Sequence, residues 1–428
     1  MRKALYLLLM MGFIATSLSS CLKDNCNREV TYIKPISVFK TYEEIRVPVT
    51  TEPAQEMVNP GKIFAYGNYL FVNEYLKGIH VIDNSNPANP TNISFISVTG
   101  SIDISIKENI LYTDNYTDLL ALDISNINNV VESDRIQDAF KPMGMGDNNT
   151  ILVGVIGESV TEKVDCNWSP DPSWRLLSDS NDPSIGGTNS SSNAKDGANI
   201  SGTAGSMAQF AVVDKNLYVI DGELLYLFDI STAAKLNSIG EVTIGQGIET
   251  LFPYEDKLFI GANDGMYIYD NTNPTNPVFL SKFEHVTACD PVVVDGDYAY
   301  VTLRNDNECG SGWRNEMQVI NIEDPSDPFL VMEQSNVSQP KGVAVADQKI
   351  YLCDGWSGIK VYDHQVSEEG TFDTDRLIDV QTISGIDAYD AIALPDQPVL
   401  LVVGTDGIYQ YQRAEDGSLT LLSQLSIQ

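Results

Sequence analysis

Two neighbouring stretches decide the fold: KIFAYGNYLFV at residues 62–72 and GIHVID at residues 78–83. Both are short apolar runs rich in β-branched and aromatic residues, and turn residues separate them, a pattern that predicts strands rather than helices. The Gly-Asn pair at residues 67–68 predicts a tight hairpin turn inside the first stretch. Three consecutive antiparallel strands are therefore expected between residues 62 and 83, with the third strand ending in Asp83.

The same theme returns along the chain with a period of about 40 residues. A period of that length, with three or four short strands in each unit, is typical of a β-propeller blade. Some intervals are longer, which indicates a blade with a loop insertion. The further units are Ile104–Leu122, a fainter one at Met143–Ile156, Phe210–Phe228, Leu251–Tyr269, Val292–Ile320, Val343–Tyr362 and Ala391–Tyr411.

We therefore predict an all-β fold, with a single β-propeller domain over residues 31–428 and an insertion at about residues 159–206. Counting pairs of inner and middle strands favours eight blades. Counting third strands gives seven, because the unit that begins at Met143 runs into the insertion before a clear third strand. Seven blades therefore stay open at this point.

A Pro-rich corner follows several third strands: DNSNPANP at residues 83–90, DNTNPTNP at 270–277 and NIEDPSDP at 321–328. Proline fixes φ, and Asn or Asp side chains bond to nearby backbone, so these corners are expected to be rigid. The corners and the strand theme resemble the LVIVD-repeat family, β-propellers of bacterial and archaeal surface proteins, over most of residues 60–412. The resemblance implies a fold and an envelope location, and it implies no activity.

The first twenty residues predict a lipoprotein signal peptide. Arg2 and Lys3 precede an apolar run that is too short to span a bilayer, and LSSC at residues 18–21 resembles a lipobox. Cys21 is then the lipidated residue, and residues 21–30 form the anchor and a linker. An ordinary signal peptide followed by a structural cysteine is the alternative. The predicted location is the bacterial outer membrane. Lys23-Asp24 resembles the charged tag of some surface lipoproteins, which favours an outward-facing protein. A protein that faces the periplasm is the alternative.

The charge of the chain bears on its partners. It carries 59 acidic and 26 basic residues, a net charge of −33, and such a chain is repelled by nucleic acid. We expect contact with the membrane through the lipid on Cys21, and a protein or glycan partner of unknown identity.

Blade topology brings several candidate residues to one face. Within a blade the strands are antiparallel, so first strands begin, and second strands end, at the same mouth of the central channel. Tryptophans in the inserted loops are expected on that rim, where a rigid scaffold presents binding residues. The candidates for the ligand or partner face are Asp103, Glu249, Asp290, Asp390, His285, Arg304, Asp354, Trp168, Trp174, Trp313 and Trp356.

Three cysteines are also expected near this mouth. Cys289 lies at a first-strand start, Cys309 in a loop of the same blade, and Cys353 at a second-strand end in the next blade. A disulfide between Cys289 and either of the other two would staple a loop, and the sequence does not choose between them. No zinc-binding spacing is present, and no cofactor is predicted, although an acidic mouth offers oxygen ligands suited to Ca²⁺.

Two functions fit these observations. A tethered propeller without a recognisable catalytic motif favours a non-catalytic binding or protein-interaction scaffold. The alternative is an enzyme, a metal-assisted hydrolase or lyase that uses the acidic mouth with His285, which lies close before Asp290. Whether the chain is an enzyme is left open, with the scaffold favoured, since propellers host both functions.

Overall fold

The computed structural model describes residues 27–165, 169, 175–176, 203–204, 208–285, 291–305, 315–366 and 375–427. In this part of the chain almost all regular structure is β-strand, as predicted. The chain divides into two compact units. One is Met1–Lys40 with Gly144–Gly186, and the other, which contains the propeller, is Thr41–Met143 with Gly187–Gln428.

The elements before the insertion include the first two blades. The chain starts with β1 (Asn27–Thr41), α1 (Tyr42–Ile45) and β2 (Thr50–Pro53). Blade 1 follows as β3 (Pro60–Tyr66), β4 (Tyr69–Glu74), β5 (Gly78–Asp83) and β6 (Thr91–Ser97). Blade 2 consists of β7 (Ile104–Lys107), β8 (Ile110–Asn115), β9 (Asp118–Asp123) and β10 (Val131–Ile136).

Five more blades follow a 3-10 turn (Asp147–Asn149) and the strands β11 (Thr150–Asp165), β12 (Arg175–Leu176) and β13 (Thr203–Ala204). Blade 3 is β14 (Phe210–Val213), β15 (Asn216–Asp221), β16 (Leu224–Asp229) and β17 (Asn237–Thr243). Blade 4 is β18 (Ile248–Tyr254), β19 (Lys257–Ala262), β20 (Gly265–Asp270) and β21 (Val278–Glu284). Blade 5 is β22 (Val292–Asp295), β23 (Tyr298–Leu303), β24 (Glu316–Asn321) and β25 (Phe329–Gln334). Blade 6 is β26 (Val343–Ala346), β27 (Lys349–Cys353), β28 (Ile359–Gln365) and β29 (Arg376–Ile383), and blade 7 is β30 (Ala388–Ala393), β31 (Val399–Gly404), β32 (Gly407–Arg413) and β33 (Leu419–Ser426).

Each blade is an antiparallel sheet whose strands are hydrogen-bonded in sequence order, from the inner strand to the outer one. Blade 1 has six strands, because β13 pairs with the inner strand β3 and β2 pairs with the outer strand β6. The β-propeller prediction is therefore confirmed.

The described residues form seven blades, so the favoured number of eight is wrong and the alternative of seven is correct. The supposed eighth unit at residues 143–156 starts as a hairpin, with a bridge between Met145 and Ile151. It then continues as the single long strand β11, in one sheet with β1 and β12. After Ile156 the sequence is mostly polar, so it offers no third apolar strand with which a blade could be completed.

Aromatic and aliphatic residues at one position of the second strands form the seams between blades. All are buried: Phe71, Tyr112, Tyr218, Phe259, Tyr300, Tyr351 and Leu401. Where the residue is a tyrosine, its hydroxyl can reach the next blade. Tyr112 donates to the carbonyl oxygen of Ala233 at 2.8 Å, and Tyr218 donates to the side chain of Asn271 at 3.0 Å. The recurring aromatic therefore joins blades as well as filling the core.

The ring closes between blades 7 and 1. An apolar cluster contains Ile63 and Val72 from blade 1 together with Ile392 and Leu401 from blade 7. Side-chain hydrogen bonds reinforce this seam, since the Gln410 amide donates to the Asn84 side chain at 2.6 Å. Closure therefore depends on side-chain packing between the first and last blades.

Candidate functional site

All inner strands begin on one face of the propeller, which we call the mouth face. Because each blade repeats the same antiparallel order, the second strands end on this face and the loops to the third strands also lie there. The opposite face carries the turns between inner and second strands and the Pro-rich corners. The sequence predicts the binding residues on the mouth face.

Three buried carboxylates near second-strand ends bind backbone groups of their own blades. Each accepts hydrogen bonds from two consecutive N–H groups in the segment that leads into the inner strand, and so fixes the start of that strand. The contacts are Glu74 with Val58 and Asn59 (3.1 and 2.9 Å), Asp114 with Ile102 and Asp103 (2.8 and 3.1 Å), and Asp354 with Ser338 and Gln339 (2.7 Å each).

Asp103 links three successive blades. It is buried directly before β7 of blade 2, and its Oδ2 accepts a hydrogen bond from Lys62 Nζ of blade 1 at 3.1 Å. The same oxygen accepts hydrogen bonds from the backbone N–H groups of Gln209 and Phe210, at the start of blade 3, at 2.6 and 3.1 Å. Buried charges are found where such partners compensate them, so these contacts give Asp103 a structural role.

Burial and hydrogen bonding shift the pKa values of two of these carboxyl groups in opposite directions. Burial alone would raise the pKa of Glu74, but hydrogen bonds from His80, two backbone N–H groups and Lys77 outweigh it and lower the pKa to about 2. At Asp114, burial outweighs the backbone hydrogen bonds and raises the pKa to about 7. Glu74 is therefore ionised at neutral pH, whereas Asp114 is partly protonated there.

A different kind of site lies on the mouth face between blades 5, 6 and 7. Arg304, Lys341, Asp387 and Tyr389 make up what we call the mouth cluster. Lys341 Nζ lies 3.3 Å from Asp387 Oδ1 and 3.7 Å from the centre of the Tyr389 ring. The Tyr389 hydroxyl donates a hydrogen bond to Asp387 Oδ2 at 3.3 Å. The cluster thus combines two cations, one carboxylate and an aromatic ring.

Burial is the main influence on the pKa values of Lys341 and Tyr389. Burial lowers the pKa of Lys341. The charge of Asp387 opposes this shift, and the charge of Arg304 adds to it. Burial raises the pKa of Tyr389 to about 12. The charge of Asp387 adds to this shift, and the charge of Arg304 opposes it. Tyr389 therefore keeps its proton at neutral pH and acts as a hydrogen-bond donor.

Trp356 lies beside the mouth cluster in the loop between β27 and β28. Its side chain is 66% exposed. Within the loop, the Asp354 N–H donates to the Gly358 carbonyl at 2.8 Å, and the Ala388 N–H of blade 7 donates to the Gly355 carbonyl at 3.0 Å. Ala388 stands between Asp387 and Tyr389 in the sequence. The loop is therefore fixed next to the cluster, and it presents a large aromatic surface to solvent.

Two buried residues, Cys353 and Asp390, adjoin the mouth cluster. Asp390 and Cys353 are both buried, and Cys353 is a free thiol whose pKa is raised well above its ordinary value by burial. Gly342, next to Lys341, lies against Asp390 so closely that an added Cβ would overlap the carboxylate and the backbone. Glycine is thus required there for blades 6 and 7 to approach each other.

The other predicted site residues are either separate from this cluster or outside the described residues. Glu249 lies half-buried in β18, and His285 directly follows β21. The pairing of His285 with Asp290 and the Cys289–Cys309 disulfide stay predictions, and Cys353, the alternative partner of Cys289, is a free thiol in the structure. The residues outside the described part of the chain are Cys21, Trp168, Trp174, Cys289, Asp290, Cys309 and Trp313.

Among the described residues, no three or more His, Cys, Asp or Glu side chains are grouped so that they could hold a metal ion. In the same part of the chain, no helix is long and apolar enough to cross a membrane.

The LVIVD-repeat family model matches this sequence at residues 60–96 and 287–334. The first match covers blade 1 up to its outer strand, and the second contains all of blade 5. The chain therefore carries LVIVD repeats within a β-propeller fold.

Two solved structures resemble this propeller at low sequence identity. A putative 6-phosphogluconolactonase from Bacteroides uniformis is 11% identical with a TM-score of 0.51, covering 86% of this chain and 97% of that chain. The periplasmic gluconolactonase of Pseudomonas aeruginosa is 9% identical with a TM-score of 0.49, covering 86% of this chain and 96% of that chain. At 11% identity the first of these likenesses shows the fold alone. None of the curated proteins matches the sequence.

The sequence of the LVIVD-repeat propeller did not single out the mouth cluster. Lys341 is recognisable only as a residue close before an inner strand, and Asp387 and Tyr389 have no special place in the repeat. The pairing of β30 with β31 shifts between Ala388 and Asp390, which leaves Tyr389 in a β-bulge. A bulge redirects a side chain without changing the apolar pattern, so strand periodicity could not have revealed it.

Proposed function

We propose that this protein is a lipid-anchored component of the bacterial outer membrane whose propeller binds a protein partner through the mouth face and catalyses no reaction. The observation that carries the proposal is the exposed Trp356 on a loop that is hydrogen-bonded to Ala388, between Asp387 and Tyr389 of the mouth cluster. Tryptophan, tyrosine and arginine contribute most of the binding energy in many protein interfaces. Here Trp356 stands on a loop held by backbone hydrogen bonds, Tyr389 on an inner strand and Arg304 directly after a second strand, so little entropy would be lost when a partner binds.

The charge of the mouth cluster suits an acidic residue on the partner. Arg304 and Lys341 lie together there, with Lys341 Nζ 3.3 Å from Asp387, in a chain whose net charge is −33. Cations on an otherwise acidic surface orient an approaching acidic partner and disfavour one that presents a positive charge at that point. The proposed partner is therefore a protein that places a carboxylate near an apolar patch able to cover Trp356.

The engagement of the predicted carboxylates argues against the hydrolase or lyase alternative. That mechanism needs several of Asp103, Glu249, Asp290 and Asp390 around one ion, with His285 as the base. Asp103 already accepts hydrogen bonds from Lys62 and from two backbone N–H groups. A metal ion would have to displace these contacts and leave Lys62 buried without its partner, which is costly.

The anchoring part of the proposal rests on the sequence around Cys21. Cells grown with labelled palmitate should incorporate the label into the wild-type protein and not into Cys21→Ala. Protease added to intact cells should then degrade the wild-type body if it faces outward. Labelling of Cys21→Ala equal to that of the wild type would contradict lipidation at this residue.

The binding part is tested by crosslinking in intact cells, affinity capture and mass spectrometry. Trp356→Ala should lose a partner that the wild type captures. Leu421→Ala, which removes an exposed apolar side chain from the outer strand of blade 7, should keep it. Deleting residues 165–205 tests separately whether the insertion with Trp168 and Trp174 contributes. Unchanged capture by Trp356→Ala would refute the mouth face as the binding surface.

A further inference from the structure

A groove lies on the face opposite the mouth, between blades 1 and 2. Its volume is about 450 Å³. The hairpin turn of blade 1 (residues 66–69) forms one wall, and Asn109 with the corner at residues 124–128 forms the other, with Phe71 also in the lining. This groove is separate from the mouth cluster, which lies on the other face and between other blades.

The second-strand residue at this seam lacks a hydroxyl group. In blades 2 and 3 the second-strand residue at this position is Tyr112 or Tyr218, and its hydroxyl bonds to the corner region of the next blade. Blade 1 has Phe71 instead. Phenylalanine cannot make this hydrogen bond, so the corner of blade 2 is not drawn onto blade 1 in the same way.

The groove is uncharged, which is unusual on this protein. Charged residues make up 20% of the chain, and acidic residues greatly outnumber basic ones. The groove lining nevertheless contains only Tyr, Phe, Ile, Gly, Asn and Ser. Such a surface gives a phosphate, a carboxylate or a metal ion no charge to pair with, so its chemistry suits a neutral ligand.

Its polar groups are amides and phenols arranged around aromatic rings. Tyr66 and Tyr69 are half-buried, and Asn68, Asn126 and Asn128 are exposed. Side-chain amides donate and accept together, as adjacent sugar hydroxyls do, and tyrosine rings offer apolar faces to sugar C–H groups. Among the described residues, the Tyr69 hydroxyl has no hydrogen-bond partner, so it is available to a ligand.

The walls are held in place before any ligand binds. The Asn109 N–H donates a hydrogen bond to the Tyr66 hydroxyl at 3.0 Å, which joins the two blades at the base of the groove. In the blade 2 corner, the Asn126 side chain accepts a hydrogen bond from the Asn128 N–H at 3.2 Å. Preformed walls reduce the entropy lost on binding, which matters for weakly binding ligands such as sugars.

We infer from this geometry that the groove between blades 1 and 2 binds a neutral oligosaccharide. Its rings stack on Tyr66 and Tyr69, and its hydroxyls bond to the Asn side chains. The site is independent of the proposed protein partner at the mouth face, so either can be wrong without the other.

The test is isothermal titration calorimetry on the full-length protein in detergent. The titrants are neutral hexasaccharides of glucose, mannose, xylose and galactose. Hexagalacturonate serves as the charged probe. Asn68→Asp places one negative charge in the groove, and blade 5 already carries Gly-Asp-Tyr at residues 296–298 in the matching turn, so this variant should fold. Asn276→Asp makes the same change in an exposed corner of blade 4 and is the matched control.

We expect at least one neutral hexasaccharide to bind and hexagalacturonate not to bind. Asn68→Asp and Tyr69→Ala should each weaken binding about tenfold, the effect of losing a stacking or hydrogen-bonding contact, and Asn276→Asp should bind like the wild type. If Tyr69→Ala does not fold, Asn68→Asp decides the result. No binding of any neutral sugar, or equal affinity of Asn68→Asp and the wild type, would overturn the inference.

Discussion

Replacing Asp103 with asparagine tests whether the carboxylates of the mouth face are structural. The substitution preserves the shape and removes the charge. In the wild type, Oδ1 accepts a hydrogen bond from the Ile104 N–H at 2.7 Å, and Oδ2 accepts three from blades 1 and 3. An asparagine has one acceptor oxygen, so in either orientation its NH₂ group faces donors.

The expected cost follows from those contacts. Breaking a buried ion pair by removing one partner costs about 3–5 kcal/mol, because the other charge is left buried and unpaired. This applies to Lys62, whose side chain is only 3% exposed. Unpaired backbone N–H groups of Gln209 and Phe210 add about 1–3 kcal/mol each, although these contributions are not independent. We expect Asp103→Asn to lower the free energy of unfolding by at least about 4 kcal/mol.

Urea unfolding followed by circular dichroism measures this loss. Asp327→Asn is the matched control, because Asp327 is an exposed corner residue, and it should change stability by less than about 0.5 kcal/mol. Combining Asp103→Asn with Lys62→Met should cost less than the sum of the two single changes, since the methionine leaves no buried charge. A stability of Asp103→Asn within about 0.5 kcal/mol of the wild type would refute the structural role.

Three further results are expected. The lowered pKa of Glu74, about 2 against an ordinary 4.5, contributes about 3 kcal/mol of stability above pH 4.5 that is lost as the pH falls through 2. The stability gap between the wild type and Glu74→Gln in urea should therefore shrink over that range, and a constant gap would contradict the assignment. Gly342→Ala should lower the melting temperature, with a loss of about 1–3 kcal/mol, because its Cβ would overlap Asp390; an unchanged melting temperature would show that the strands can move apart. In a background with Cys26, Cys166, Cys289 and Cys309 all replaced by serine, the buried Cys353 thiol should react with Ellman's reagent on the order of 100-fold more slowly in the folded protein than in urea, and equal rates would show that it is accessible.

The fold could be predicted because its information is local. Each hairpin and third strand is encoded within about 20 residues by apolar alternation and turn residues. The buried second-strand aromatics, such as Tyr112 and Tyr218, then mark the period from blade to blade. The number of blades was harder to predict, since the strand pair at residues 143–156 resembles a blade start and only its partner, β1, shows that it is not one.

The site could be predicted only as a face. The positions of Asp103 and Asp354 near the mouth follow from strand order, but their partners do not. Asp103 binds the N–H groups of Gln209 and Phe210 across the insertion, and Tyr389 reaches Lys341 from a bulge. Contacts between residues so far apart in sequence leave no local pattern, and so the difference between a structural and a ligand-binding carboxylate appears only in three dimensions.

Site-specific photo-crosslinking tests the central claim most directly. A photoreactive p-benzoylphenylalanine is placed at Trp356 on the mouth face or, as a control, at Leu421 on the outer strand β33, and intact cells are illuminated. We predict one reproducible protein adduct from the position of Trp356 and none of the same mass from that of Leu421. The same adducts from both positions, or no protein adduct from the position of Trp356, would contradict a protein-binding mouth face.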